Sequence, residues 1–349
     1  MNFPQEVITT LYTEGTAIAL IIGLMVYTAG LKKKNGVREH IFIILNAHAL
    51  LLALSGALSY TLRYQDFDGA LLLAKIAGNL HELFILALIF YWMLFTDYLL
   101  YRSRDHLYRR YTPAFIPILV CAGVLAVNSF TNFLFDIGED LKFDPKPGYW
   151  VLVALEYFYL INTVVLLLKF YSKSNGPKFI RLLPFATPFI VSSVINRISP
   201  YEVRSLGIAV GLVLLHFSLM NERCYRDEET GFYNIAFLKY IAGFATEHDA
   251  SGGCAIIFDG AERGDELAGI VSDEAPYNSA VVNAGHGRYI VLSGAQSRTA
   301  IRLFITAVKE AAEEESIDVS ADYLVLNGGE SLEKSLNKLI NKTVRAVPQ

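Results

Sequence analysis

Seven apolar stretches of membrane-spanning length run through this chain and stop at Cys224, where an acidic, water-compatible stretch begins. The spacing predicts helices over Val7 to Gly30, His40 to Leu62, Leu71 to Leu100, Pro113 to Phe135, Trp150 to Tyr171, Ile180 to Arg197 and Val203 to Met220. Each approaches or exceeds the ~20 residues an α-helix needs to cross ~30 Å of hydrocarbon. The first is no cleavable signal peptide, because it lacks a basic segment before the apolar run and carries KKKNGVR after it.

Charge fixes the expected orientation. The three loops assigned inside hold eleven Lys and Arg: Lys32, Lys33, Lys34, Arg38, Arg102, Arg104, Arg109, Arg110, Lys173, Lys178 and Arg181. The three outside hold five: Arg63, Lys142, Lys146, Arg197 and Arg204. Short cytoplasmic loops collect positive charge, so the N-terminus is expected outside and the C-terminus inside, in a cytoplasmic (inner) membrane of bacterial type. Residues 1–222 then form a sensor domain and residues 223–349 a cytoplasmic one. The two differ in charge, with 19 Lys+Arg against 15 Asp+Glu up to Arg223, and 11 against 19 beyond it. A tail of net charge −8 repels nucleic acid, so the partners expected are membrane lipid, a small ligand and a cytoplasmic signalling protein.

Composition agrees, with 53% hydrophobic and 18% charged residues against the quarter charged that is usual in soluble chains. Cys121, Cys224 and Cys254 lie far apart and lack CxxC spacing, which indicates neither a disulfide framework nor a thiolate zinc site. Retinal at the place usual in seven-helix light receptors is excluded, because VRSLGIAVGLVLLHFSLM contains no lysine. Lys75, the lysine that reads as buried elsewhere, sits near an outer helix end and is expected to snorkel.

Ionisable residues deep in a bilayer are costly and mark candidate sites. At ~1.5 Å per residue, His48 falls ~12 Å from the inner face, His81 and Glu82 ~16 Å from the outer face, His216 ~20 Å and Glu156 ~10 Å from the outer face. Together these five residues are expected to line a pocket open to the outside. Three uses fit such a layer: a polar ligand pocket, a zinc, iron or haem site built on imidazoles and carboxylates, or hydrogen bonds to neighbouring helices through Asn46, Asn79, Asn162 and Asn196. No HxxxH or HExxH spacing lies in any span, so the metal reading rests on depth alone. The longest outer loop, FDIGEDLKFDPKPGYW, reads as a connection or a lid. Pro184 and Pro188 each remove a backbone donor from the sixth helix and are expected to bend it.

Beyond Cys224 the pattern alternates. Helix is expected over Phe232 to Thr246, strand over Cys254 to Asp259, helix over Asp265 to Ser272, strands SAVVNA and YIVLSG around the turn GHGR, helix over Thr299 to Glu315, strand DYLVL and a last helix over Ser331 to Val344. This is an α/β sandwich of about 125 residues.

DEETGFYN, Asp227 to Asn234, resembles the Asp-x-Leu-Thr-Gly-Leu-x-Asn signature that opens diguanylate cyclase (GGDEF) domains, with Asp227, Thr230, Gly231 and Asn234 in register and Glu229 in place of the leucine. The resemblance implies a nucleotide-cyclase-like fold. It also aligns Asp259 with the family's first metal-binding aspartate, Asp265 after Gly264 with the pair that reads guanine, and Gly285 to Tyr289 with the GGDEF hairpin. The departures bear on activity. His286, Gly287, Arg288 and Tyr289 stand where the family has Gly, Asp, Glu and Phe, and only GAER separates Asp259 from Gly264. Two-metal phosphoryl transfer needs several fixed anionic ligands, which one aspartate does not supply. The expectation is therefore a membrane all-α seven-helix bundle joined to a degenerate, catalytically inactive GGDEF-like domain. Asp259, Asp265 and Arg288 remain its candidate nucleotide contacts, and homodimerisation follows from family habit. The N-terminal half resembles, more loosely, the seven-helix sensor regions that precede bacterial histidine kinases and cyclases, so the chain reads as a signalling receptor. The alternatives are a membrane-embedded metal enzyme or haem sensor using His48, His81, Glu82 and His216, and a regulated transporter.

Overall fold

The computed structural model describes residues 4–338 except 31–36, 102–103, 139–142, 174–181, 199–201, 228–229, 248–252, 261–263, 277–278, 295–296, 327–333 and 336. The chain divides into two compact units, one built on Met1–Tyr171 and Arg181–Ser218 and the other on Leu219–Gln349.

The first unit holds α1 (Gln5–Gly30), α2 (Val37–Leu62), α3 (Ala70–Tyr101), α4 (Arg104–Thr131), α5 (Tyr149–Lys173), α6 (Leu182–Ile198) and most of α7 (Arg204–Arg223). Six of these are long and apolar enough to cross a membrane, whereas α6 contributes only the shorter apolar stretch Ala186–Asn196. The chain is thus a membrane protein by the length and hydropathy of its helices. Helix α4 starts nine residues before the expected Pro113 and carries Pro113 and Pro117 inside it. Hydropathy marks where a helix becomes apolar, and RDHLYRRYT extends this one by about two and a half polar turns. Tyr159 Oη donates to the Ala114 carbonyl at 2.6 Å, tying α5 to α4 beside the prolines. Pro188 lies within α6, and the side chain of Pro184 lies outside the described residues. Helices α6 and α7 meet at Gly207, where a Cβ would collide with the Ser192 side chain and the Pro188 carbonyl oxygen. Only a residue without a side chain allows that approach, as is usual where helices pack in lipid.

The loop between α4 and α5 folds into an antiparallel pair, β1 (Phe135–Ile137) with β2 (Phe143–Pro145). It is anchored rather than free. Phe135 is fully buried against Phe143 and Tyr149 at 4.8 and 6.2 Å between ring centres. Asn128 accepts from the Leu134 N–H at 2.6 Å and donates to Asn79, which in turn donates to Ser129. Lys75, expected to snorkel, instead reaches Asp136 of β1 at 2.7 Å and Asn132 at 3.0 Å. An available carboxylate gives the ammonium a partner that lipid headgroups would otherwise supply.

The second unit contains α8 (Ile235–Glu247), β3 (Gly253–Asp259), α9 (Gly264–Glu274), β4 (Ala280–Gly285), β5 (Arg288–Gly294), α10 (Arg298–Glu314) and β6 (Ser320–Leu326). From β3 on this is a βαββαβ unit with the antiparallel strand order β4-β5-β3-β6. Alternation along β3 explains the layering. Ala255 faces Phe237 and Leu238 of α8, while Cys254, Ile256 and Phe258 face Leu267 and Val271 of α9 and Phe304 and Val308 of α10. Helix α10 opens with Ser297 capping the Ala300 N–H. Most of the expected last helix lies outside the described residues.

Candidate functional site

A cavity of about 360 Å³ opens at the end of the helical unit that holds the start of α1 and α3, the end of α2 and the start of α5 and α7. Helix α2 and the residue after it supply Gly56, Ser59, Tyr60 and Arg63, and α3 supplies Gly78, His81 and Glu82. These are i, i+3, i+4 and i+7 positions, so each set forms one stripe along its helix. Phe143 and Pro145 of β2, Tyr149 and Trp150 of α5, Asn196 of α6, and Glu202 with Arg204 at the head of α7 complete the wall.

Arg204 is the electrostatic centre. It is 5% exposed, and its Nη1 lies 3.7 Å from Glu156 and its Nε 3.9 Å from Glu202. Both separations exceed hydrogen-bond length, and neither nitrogen makes a hydrogen bond. The backbone around it is firmly held: the Val203 N–H donates to Asn196 at 2.8 Å, the Arg204 N–H to Glu202 at 3.3 Å, and Thr13 Oγ1 donates to the Glu202 carbonyl at 2.7 Å. Arg63 stacks over the Tyr60 ring at 4.5 Å, and its Nε makes no hydrogen bond. Tyr149 Oη donates to Glu82 at 3.3 Å. Behind the wall, Glu14 is fully buried and accepts from Ser205 at 3.1 Å. Gly56 makes room there, because a Cβ would stand 2.8 Å from Glu14 Oε1 and 3.0 Å from His81 Nδ1. His81 Nδ1 lies 3.1 Å from the Leu52 carbonyl.

Of the five residues expected to share a pocket, the structure brings together three. His81 and Glu82 line the cavity, and Glu156 faces it through Arg204. His48 lies elsewhere, with Nδ1 2.8 Å from the Ile44 carbonyl of its own helix and its ring 4.8 Å from Tyr91. His216 is buried between Tyr27 and Phe42, at 5.3 and 6.1 Å between ring centres. Depth separates these histidines from the cavity: His48 lies eight residues below Gly56 on α2 and His216 twelve residues below Arg204 on α7, about 12 and 18 Å along their helices. Sequence reasoning missed Glu14, Tyr60, Arg63, Glu202 and Arg204. Arg63 and Arg204 carried a usable signal: both are charges within a residue or two of an apolar span, and both count on the sparsely charged outer side. Among the described residues no group of three His, Cys, Asp or Glu side chains is arranged to hold a metal ion.

In the second unit, Asp259 ends β3 and faces Arg288, the first residue of β5, across the strand pair. Arg288 Nε donates to Asp259 Oδ2 at 2.6 Å, and both side chains stay about a third exposed. The intervening turn has positive φ at Gly285, His286 and Gly287, and the Gly260 N–H donates to the Gly287 carbonyl. A hairpin loop with two central residues at positive φ is the turn that matches strand twist. Asp265 lies in the first turn of α9 and its side chain is outside the described residues.

The DEETGFYN string also has a structure. Asp227 accepts from the Thr230 N–H at 2.9 Å and hydroxyl at 2.8 Å, and Gly231 follows at φ +75°. Asn234 accepts from the Phe237 N–H and donates to the Cys224 carbonyl, so it caps α8 while holding the end of α7. Arg226 donates twice to Glu222, at 3.1 and 2.6 Å, and once to the Gly231 carbonyl at 2.7 Å. Tyr233 Oη adds a third donor to Glu222 at 3.2 Å. Glu228 and Glu229 lie outside the described residues.

No protein-family model matches the chain, and no curated protein matches it in sequence.

Proposed function

We propose that this chain is a seven-helix membrane receptor that binds a small polar ligand in the cavity at the outer ends of its helices and passes occupancy to a GGDEF-like domain in the cytoplasm. In this reading α6 completes the seven helices, the N-terminus is outside, and the membrane is the cytoplasmic membrane of a bacterium. The observation that carries the proposal is the double attachment of α7. Its first residue, Arg204, stands in the wall of the cavity, and Glu222, in its last turn, is gripped by Arg226 and Tyr233 of the sheet unit. A ligand that moves Arg204 therefore loads a helix whose far end is fixed to the output domain. A ligand shifts an equilibrium only by its differential affinity for two states, and a charged cavity wall on the connecting helix supplies a place for that difference.

The output works by protein contact, in a homodimer or with a cytoplasmic partner, and not by cyclase chemistry. Asp259 spends its carboxylate on Arg288, and a hairpin that ends in a guanidinium attracts no cation to that position. Asp259 and Arg288 remain polar contacts for a nucleotide only at the cost of their mutual ion pair.

Access to the cavity tests the receptor reading. With the exposed Cys224 replaced by Ser and Cys121 and Cys254 left buried, Tyr60→Cys is expected to react with a membrane-impermeant maleimide added outside intact cells. Burial also pushes the Cys254 thiol up, which keeps it unreactive. Reaction only in permeabilised cells would reverse the orientation, and no reaction at all would close the cavity and sink the proposal. Incubation of the purified chain with GTP and magnesium is expected to yield no cyclic dinucleotide.

A further inference from the structure

We infer that the cavity is built for a small zwitterion, a molecule carrying a carboxylate and a cationic nitrogen, of the free amino-acid or betaine class; this rests on the receptor reading and names its ligand. Three observations converge on both charges. First, the Nε and Nη1 donors of Arg204, in a side chain more than nine-tenths buried, make no hydrogen bond, and neither does Nε of Arg63 on the same wall. Buried donors without acceptors are costly, and a guanidinium is matched by a carboxylate in two parallel hydrogen bonds. Second, four carboxylates, those of Glu14, Glu82, Glu156 and Glu202, stand in or behind a wall that holds two guanidiniums. A plain anion would use the guanidiniums alone, whereas a zwitterion also offers a cation to Glu82 and Glu202, which line the same wall. Third, Tyr60, Phe143, Tyr149 and Trp150 present aromatic surface beside those carboxylates, and aromatic faces attract ammonium groups within about 6 Å. The volume of about 360 Å³ lies at the small end of the roughly 300–1,000 Å³ that ligand pockets span.

The two charges are read by different residues, which makes the assignment separable. The ligand carboxylate goes to Arg63 and Arg204, and its ammonium goes to Glu82 and Glu202. The full chain in lipid nanodiscs would be titrated calorimetrically with free L-amino acids and glycine betaine, each amino acid alongside its decarboxylated amine and its deaminated acid, for instance L-phenylalanine with phenethylamine and 3-phenylpropionate. At least one zwitterion is expected to bind saturably, with its matched amine and acid each weaker by about tenfold or more. Arg204 sits in a buried ionic network, so the variants are placed at the half-buried positions instead. Arg63→Gln is expected to weaken the zwitterion and the acid while sparing the amine, and Glu82→Gln to weaken the zwitterion and the amine while strengthening the acid. A matched acid or amine that binds as tightly as its zwitterion would overturn the assignment, as would a panel with no binder. Maleimide labelling of Tyr60→Cys separates the two failures: labelling without zwitterion binding removes the ligand class and leaves an outward cavity, and no labelling removes both.

Discussion

The cavity wall of the helical unit and the sheet unit treat charge in opposite ways. In the helical unit, Arg63, Arg204, Glu82 and Glu202 converge on one cavity, with separations of 3.7 and 3.9 Å around Arg204 that leave donors unused. In the sheet unit the charges are spent locally: Glu222 takes three hydrogen bonds from Arg226 and Tyr233, and Asp259 takes Arg288 at 2.6 Å. An unspent buried donor is expensive because its desolvation is not recovered, while a satisfied pair is nearly neutral. Cost without local return marks where a binding partner acts, and full satisfaction marks where a structure is held. Under the receptor reading proposed above, the contrast assigns recognition to the helices and relay to the sheet.

The largest effect expected is from Glu222→Ala. It removes the acceptor of three donors in a residue that is 2% exposed, and breaking a buried pair of this kind costs about 3–5 kcal/mol. Hydrogen exchange should show lost protection over residues 224–237 with the cavity helices unchanged; equal loss in both units would break the division between recognition and relay. Next comes Gly207→Val, which drives a side chain into Ser192 and the Pro188 carbonyl. Overpacking of this kind costs about 1–3 kcal/mol, and thermal unfolding of the helical unit should fall while the sheet unit keeps its transition. Smaller again, Arg288→Ala frees a carboxylate that water already reaches, so about 0.2–1 kcal/mol is expected. Chemical denaturation would measure it, and cyclic-dinucleotide synthesis appearing in that variant would contradict an output made of contacts. The smallest effect is on pH. The hydrogen bond from Lys75 holds the Asp136 carboxyl below its ordinary range. A depressed carboxylate contributes stability above its unfolded pKa and loses it as pH falls through the folded one, so the β1–β2 anchor weakens only in strong acid. Asp136→Asn should remove that acid step from a tryptophan-fluorescence titration and leave neutral behaviour intact.

Much of the architecture was legible beforehand. Length and hydropathy located five of the six helices of membrane-spanning length to within a few residues of their ends; the sixth, α4, has polar first turns that continue a helix hydropathy starts at Pro113, and the expected span over Ile180 to Arg197 holds only the shorter apolar stretch Ala186–Asn196. Period-two alternation located all four strands of the sheet unit to within two residues, since a strand with both faces covered still reveals its turns through Gly and Asn. The candidate site was half legible. His81, Glu82 and Glu156 stood out as carboxylates and imidazole inside apolar runs, but His48 and His216 shared that signature and lie deeper along their helices, among aromatic neighbours. Arg204 and Glu202 passed as loop charges, although their burial makes them the heart of the cavity.

Sequence alone determined that the chain enters lipid, which residues are costly there, and where the water-compatible unit begins, because each depends on composition along a line. Tertiary structure alone decided which costly residues meet. The level at which each helix sits in the bundle, the close approach at Gly207, the pinned β1–β2 pair and the seat that Arg288 takes on Asp259 each depend on residues far apart in the chain, and such encounters are set by packing of side chains in three dimensions rather than by the order in which they occur.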